Sequence, residues 1–347
     1  MAEQTDYWKA FVKLGRFLRD FCENRDNDDG HFSNLKKTIH LAQQQNAWFT
    51  SENIHFALQQ WGDILTEENL KNWLSTYQIS KDNGAKTIGI IMAGNIPLVG
   101  FHDFLSVLVT GNRALCKLSS NDAVLLPTLA EQLIAFEPSL KSCIAFTENR
   151  LENFDAIIAT GSNNTSRYFE YYFGKYPNII RKNRTSVAVL TGNETEEQLK
   201  NLGNDIFRYF GLGCRNVSKI FVPHDYDLDP LFNALFEYKS IIEHHKYANN
   251  YDYNKAVYLM SDFKILDNGF LILKEDKNLH SPIAALFFEK YDSHNNLRTH
   301  LEAEKEQLQC IVGNLEISNE IPFGHTQRPG LADYADGVDT VDFLLTL

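Results

Sequence analysis

The stretch from Arg208 to Pro223, RYFGLGCRNVSKIFVP, carries the side chain best placed for covalent chemistry. Leu199, Leu202, Ile206, Phe207 and Phe210 recur at helical spacing, the run stops at Gly211, and a strand-like SKIFV follows. Cys214 stands between the two, in a turn, with Gly213 before it and Arg215 after it. Glycines at 211 and 213 permit backbone angles that bring N–H groups close to a ligand, and a neighbouring guanidinium favours the thiolate, which is the nucleophilic form. Against this stands the common fate of an unpaired thiol, which is to be buried and inert.

Elements that could position such a group are legible along the chain. Tyr7, Trp8, Phe11, Val12, Leu14, Phe17, Leu18 and Phe21 recur at helical spacing, and WFTSENIHFALQQW and LTEENLKNWLSTY begin with Thr or Ser caps, so the first eighty or so residues read as a helical lead-in. Its aromatic stripes are core rather than a cofactor box. From Lys86 short β runs alternate with helices: KTIGIIMAGN, FHDFLSVLVTGN, RALCKLS, DAIIATG, SRYFEYYFG and SVAVL. This alternation predicts a parallel sheet covered by helices, which binds ligands at the carboxyl ends of its strands. Asn95, Lys117, Thr160, Gly161 and Ser162 fall at those ends. SKIFVP, GFLILK, PIAALFFEKY and QCIVGN predict further strands in a second lobe, with the segment 238–253 helical or looped between them. We divide the chain into a helical lead-in with a cofactor-binding domain (1–205), a catalytic domain (206–325) and a C-terminal tail (326–347). The apolar end of the tail, VDFLLTL, suggests a surface covered by another subunit.

Composition narrows the function classes. At 347 residues with 44% hydrophobic and 22% charged residues, the chain has globular composition and room for two lobes. No stretch approaches the roughly 18 apolar residues of a membrane span, and the amphipathic amino terminus shows neither the apolar core nor the cleavage site of an export signal. Five cysteines at 22, 116, 143, 214 and 310 form no CxxC pair, which points to reduced thiols in the cytoplasm and away from structural zinc. A net charge of -12 argues against non-specific nucleic-acid binding. His244 and His245 are adjacent and lack carboxylate partners at ligand spacing, so no metal site is expected. His102 and His325 are read as ordinary hydrogen-bonded histidines.

Four stretches occur in a fixed order: IMAGNIPLVGFHDFLSVLVTGNRALCKLSSND, IIATGS, FGLGCRNVSKIFV and IPFGHTQRPG. This order resembles the aldehyde dehydrogenase superfamily. More closely, the helical lead-in, GCRNVSKIFVP and TQRPGLADYADGVDTVDFL resemble the LuxC-like acyl-CoA reductases, over most of the chain from about Trp48 onward. The resemblance implies an α/β, aldehyde-dehydrogenase-like fold: two α/β lobes with parallel sheets behind an N-terminal helical lead-in. It implies Cys214 as nucleophile and Asn95 as an oxyanion donor beside the cysteine's own N–H. Lys117 would contact the adenosine ribose or its 2′-phosphate, and Thr160, Gly161 and Ser162 would form the turn beside the cofactor pyrophosphate. It also implies NADPH, with NADH not excluded, an acyl-CoA substrate, and a homo-oligomer for which a dimer is the expectation.

Two departures from the family pattern matter. Ser166 stands where a glycine usually follows the cofactor turn, and a GxGxxG fingerprint is absent. No Asp or Glu lies between Phe173 and Val189, the region where aldehyde-oxidising relatives carry the glutamate that activates water. A reductase needs no such base, because its acyl-enzyme accepts hydride. The resemblance, taken with these departures, implies reduction of an acyl-CoA, with a fatty acyl chain, to the aldehyde through a cysteine acyl-enzyme. Two alternatives stay open at this level: a cofactor-independent cysteine acyltransferase or thioesterase, and a non-catalytic cofactor-binding protein.

Overall fold

The computed structural model describes residues 6–24, 30–79, 84–161, 163–315 and 320–347. Two compact units divide the chain: Met1–Lys182 together with Gly330–Leu347, and Asn183–Pro329.

The first unit begins with helices α1 (Trp8–Glu23), α2 (Ser33–Gln45), α3 (Ser51–Ile64) and α4 (Glu67–Leu74). α1 buries Phe11, Leu14, Leu18 and Phe21 on one face, and the Phe11 ring meets Phe101 edge-on at 6.2 Å. Each such side chain contributes about 1.5–3 kcal/mol when fully buried, which is what commits this amphipathic sequence to the lead-in. The threonine caps are in place: Thr50 Oγ1 accepts from the Asn53 amide at 3.2 Å and Thr66 Oγ1 from the Asn69 amide at 3.1 Å. Then follow β1 (Thr87–Ile91), α5 (Phe101–Val109), β2 (Arg113–Lys117), α6 (Leu125–Phe136), β3 (Ile144–Phe146), β4 (Ala156–Thr160), α7 (Asn163–Phe173) and β5 (Asn178–Arg181). The five strands are parallel, in the order β3-β2-β1-β4-β5. The middle of β1 and residues Ala156 to Ala159 of β4 are buried, as expected of central strands covered on both faces.

The second unit contains β6 (Thr185–Val189), α8 (Glu196–Phe207), β7 (Val217–Pro223), α9 (Asp229–Leu235), α10 (His245–Met260), β8 (Ile265–Asp267), β9 (Ile272–Glu275), β10 (Ala285–Tyr291), α11 (His294–Ala303), β11 (Leu308–Val312) and β12 (Glu320–Ile321). Its seven-stranded sheet runs β12-β11-β6-β7-β10-β9-β8, parallel except for the β8–β9 pair. Sequence reading placed SVAVL with the cofactor domain, ending near residue 205. The structure pairs that segment, β6, with β7 and β11, so the compact units change at Lys182/Asn183, and residue 205 lies inside α8. A short apolar strand suits either sheet by composition, and only its hydrogen-bonded neighbours decide.

The last residues return to the first unit and form α12 (Thr340–Leu345). Trp73 Nε1 donates to Tyr334 Oη at 2.8 Å, Tyr77 Oη donates to Asp339 Oδ2 at 2.7 Å, and His102 Nε2 donates to the Leu331 carbonyl at 2.9 Å. Arg181 makes a two-pronged ion pair with Asp103 and donates to Thr340 Oγ1 at 3.1 Å. Val341 and Leu344 are buried. Phe343, Leu345 and Leu347, in the apolar end of the tail expected to meet another subunit, are half-buried against the core of the same unit. No helix among the described residues is long and apolar enough to cross a membrane.

Candidate active site

Cys214 lies on the second unit, in the turn between α8 and β7, and is exposed. The other four cysteines are buried, and none of the five is in a disulfide. Past the end of α8 the backbone turns sharply: Tyr209, Phe210 and Gly211 are all left-handed, with φ of 54°, 59° and 76°. For the two residues with side chains this costs roughly 1–2 kcal/mol each, so something must hold them. Asn216, which is buried, bonds to the chain on both sides of this stretch. Its Nδ2 donates to the carbonyls of Asp205, Ile206 and Arg208 at 3.1, 3.4 and 2.8 Å, satisfying groups that a helix end leaves without partners. Its Oδ1 accepts from the Gly213 amide at 2.8 Å, and its own amide donates to the Gly213 carbonyl at 3.0 Å. Residues 213–216 therefore form a closed turn with Cys214 at its second position. The Cys214 carbonyl is fixed in addition by Ser186 Oγ of β6, at 2.9 Å. Backbone and neighbours are braced while the side chain faces outward.

A second buried group joins this turn to the IPFGHTQ stretch. Asp205 has no exposed surface, and its carboxylate accepts from Gly324 N at 2.6 Å, Thr326 N at 3.0 Å and Thr326 Oγ1 at 2.8 Å. Burial raises its pKa, and those three donors oppose the rise. Arg215, read from sequence as the group that favours a thiolate, directs its guanidinium to Cys310 Sγ at 3.5 Å and to the Thr326 carbonyl at 3.4 Å. It ties two segments of the unit together. His325 Nδ1 donates to the Phe323 carbonyl at 3.0 Å, and His244 caps α10 by accepting from Tyr247 N at 3.4 Å. Sequence reasoning singled out none of Asn216, Asp205, Ser186 and Thr326. The one available signal was the Asn two residues after the cysteine, a residue type suited to turns.

The remaining predicted residues lie on the first unit. Lys117 ends β2, Thr160 ends β4, and the Asn95 loop follows β1, which is the strand between those two. Ile91 is in register with both Lys117 and Ala159, so all three ends open on the same edge of the sheet, with neighbouring strands about 4.8 Å apart. Asn95 is exposed, and Lys117, Thr160 and Gly161 are half-buried. Gly161 has no room for a side chain: a Cβ there would lie 2.9 Å from Phe169 and 3.0 Å from Thr165, which keeps the strand end close to α7. Ser162 lies outside the described residues. Ser166 is buried on α7, where a small residue packs. Partly exposed polar groups at adjacent strand ends, a glycine turn and an eleven-residue helix starting just after it suit a dinucleotide, whose phosphates favour helix amides. Among the described residues no three His, Cys, Asp or Glu side chains gather at a metal-like site.

Solved structures show the same fold at low sequence identity. Aldehyde dehydrogenase 21 from Physcomitrella patens, in complex with succinate, aligns with a TM-score of 0.69 and 11% identity over 99% of this chain and 84% of its own. The NAD-dependent aldehyde dehydrogenase from Sinorhizobium meliloti gives 0.64 and 10% over 89% and 70%. An aldehyde dehydrogenase from Mycobacterium tuberculosis, complexed with NAD+, gives 0.61 and 12% over 89% and 73%. No curated protein sequence matches the chain. The sequence family described as acyl-CoA reductase (LuxC) matches residues 31–252, well over half the chain and including Asn95, Lys117, residues 160–162 and Cys214. On the aldehyde dehydrogenase fold, and with that match, the chain belongs to the LuxC family of acyl-CoA reductases.

Proposed function

We propose that the protein reduces a fatty acyl-CoA to the aldehyde with NADPH, through an acyl-enzyme on Cys214. The observation that carries this reading is the exposed Cys214 held at the second position of a turn braced by Asn216 and Ser186. In the first step the Cys214 thiolate adds to the thioester carbonyl, and the carbonyl electron pair moves to oxygen. Asn95 and the Cys214 amide donate to that oxyanion, each such donor being worth about 2.7–4 kcal/mol. The C–S bond to coenzyme A then breaks, the coenzyme A thiolate leaves, and the acyl group stays on Cys214. NADPH, or NADH in its place, held by Lys117 and the turn at Thr160, Gly161 and Ser162, would supply a hydride to the acyl carbon. The tetrahedral alkoxide on Cys214 reforms its C=O, expels the Cys214 thiolate and gives the aldehyde.

Lys117 is assigned to the adenosine ribose or its 2′-phosphate, and Thr160, Gly161 and Ser162 to the pyrophosphate. The absence of any carboxylate between Phe173 and Val189 supports reduction over hydrolysis, since no base there activates water against the acyl-enzyme. Assembly as a homodimer and a cytoplasmic location rest on the family resemblance and on the scattered cysteines, and the mass in solution tests the former.

The deciding experiment mixes enzyme with acyl-CoA in the absence of cofactor. Intact-protein mass spectrometry should show one acyl group on Cys214 and release of one equivalent of coenzyme A, with NADPH then discharging the adduct as aldehyde. Continuous production of free acid, with no adduct at early times, would establish a thioesterase instead.

A further inference from the structure

The loop between β1 and α5 carries Asn95 and contains an uncommon backbone. Leu98 sits at φ +59°, in the left-handed region that a side chain with a Cβ adopts only at a cost of roughly 1–2 kcal/mol. Leu98 itself is buried, while Asn95, three residues earlier, is exposed. The loop is held from below by the turn that follows β2. Asp122, 8% exposed, accepts the Leu98 amide on Oδ2 at 2.8 Å. The Leu98 carbonyl is in turn bonded to the Phe101 amide at 3.0 Å, at the start of α5. At the other end of the loop, a Cβ on Gly94 would lie 2.6 Å from Ser119 Oγ and 3.1 Å from Asn121 Cβ, so the backbone there is pressed onto the same turn.

That turn is itself rigid. The Asp122 amide donates to the Ser119 carbonyl at 3.0 Å, Asn121 N donates to Ser119 Oγ at 3.2 Å, and Asn46 Nδ2 donates to the Asn121 carbonyl at 3.2 Å. A buried carboxylate is costly, and one that spends an oxygen on a backbone amide in a loop fixes that loop's path. Here the fixed amide is the one that holds Leu98 in its strained conformation.

We propose that Asp122 is a positioning residue for acyl transfer: by clamping the Leu98 amide it sets the pose of Asn95. The proposal rests on the reading of Asn95 as an oxyanion donor. Asp122 touches no reacting atom, so its whole effect on chemistry passes through Asn95. Removing the clamp lets Leu98 relax to negative φ, which swings the loop and withdraws the Asn95 amide from the place where charge develops. A displacement of about 1 Å at a catalytic group is enough to cost on the order of 10²-fold in rate.

The test is a double-mutant cycle read in a single turnover. Excess enzyme is mixed with octanoyl- or hexadecanoyl-CoA, whichever the wild type turns over, and coenzyme A release is followed with a thiol reagent. Asp122→Ala should slow release about 10- to 10²-fold in the wild-type background, and by no more than about 2-fold when Asn95 is already alanine. Asp122→Asn keeps an oxygen for the Leu98 amide and should stay within about 3-fold of wild type. Leu98→Gly adopts the left-handed angle without strain, and in the Asp122→Ala background it should recover part of the rate.

Equal losses from Asp122→Ala in both backgrounds would overturn the proposal, since a general loss of structure multiplies with Asn95→Ala. So would an Asp122→Asn variant as slow as Asp122→Ala. If Asn95→Ala alone releases coenzyme A at the wild-type rate, the oxyanion reading fails and takes this proposal with it, an outcome distinct because it appears in the single variant. Should Asp122→Ala not fold, Asp122→Ser is measured in the same two backgrounds and the same comparison decides.

Discussion

Asn216 holds Gly213 from two directions, with its side-chain oxygen on the Gly213 amide at 2.8 Å and its own amide on the Gly213 carbonyl at 3.0 Å. Cys214 lies between these two residues, so its backbone cannot rotate without breaking one of the bonds. Asn216→Ala should remove the brace and leave the carbonyls of Asp205 and Arg208 short of a donor. Chemical denaturation should report a loss of about 1–3 kcal/mol, and the single-turnover acylation rate should fall by at least about 10-fold. Wild-type acylation in a folded Asn216→Ala protein would show that the brace does not set the position of Cys214.

Exposure separates Cys214 from the other thiols. With substoichiometric iodoacetamide, peptide mapping should find the label on Cys214 first, because Cys22, Cys116, Cys143 and Cys310 are buried. Burial, with the Asp103 charge nearby, also pushes the Cys116 thiol up, away from the reactive thiolate. Labelling should abolish reduction, as should Cys214→Ala. Early labelling of Cys310 with Cys214 unmodified would contradict the assignment.

Asp122 also leaves a signature in the pH dependence of stability. Burial raises its carboxyl from 3.8 to about 6, the Leu98 and Leu125 amides opposing the rise. The folded pKa exceeds the unfolded one, so the folded state binds the proton more tightly. The stabilisation this gives is fully present below about pH 4 and is lost as pH rises through about 6. Asp122→Asn does not titrate. The melting temperature of the wild type should therefore fall relative to that of Asp122→Asn between pH 4 and pH 7, by an amount equivalent to at most about 3 kcal/mol. A constant difference across that range would show that the carboxyl titrates at its ordinary value.

The tail contributes to the first unit through Tyr334, Asp339, Thr340, Val341 and Leu344. Truncation after Gly337 removes the last four of these. Loss of two buried aliphatic side chains alone is worth about 1.5–3 kcal/mol each, so the truncated protein should melt well below the full chain. Calorimetry on the two proteins checks this, and an unchanged melting temperature would mean that the tail is held more loosely than its hydrogen bonds indicate.

By itself the sequence determined what short-range physics decides. The period of Phe11, Leu14, Leu18 and Phe21 specified α1, Thr50 and Thr66 announced the starts of α3 and α4, and alternation of apolar runs with helices specified parallel α/β units. The glycines around Cys214 marked a turn. These are signals carried within a few residues, where rotamer freedom, capping and burial of one face act locally. Tertiary structure alone decided which sheet receives β6, because an apolar strand presents the same backbone donors and acceptors to any neighbour. It also decided what braces Cys214 and Asn95. Asp205 meets Thr326 at a separation of 121 residues, and Trp73 meets Tyr334 at 261. Such pairs form only once the sheets have brought distant segments together, and a buried Asp or Asn reads the same in sequence whether it ends in a loop, a cap or a clamp beneath an exposed polar residue.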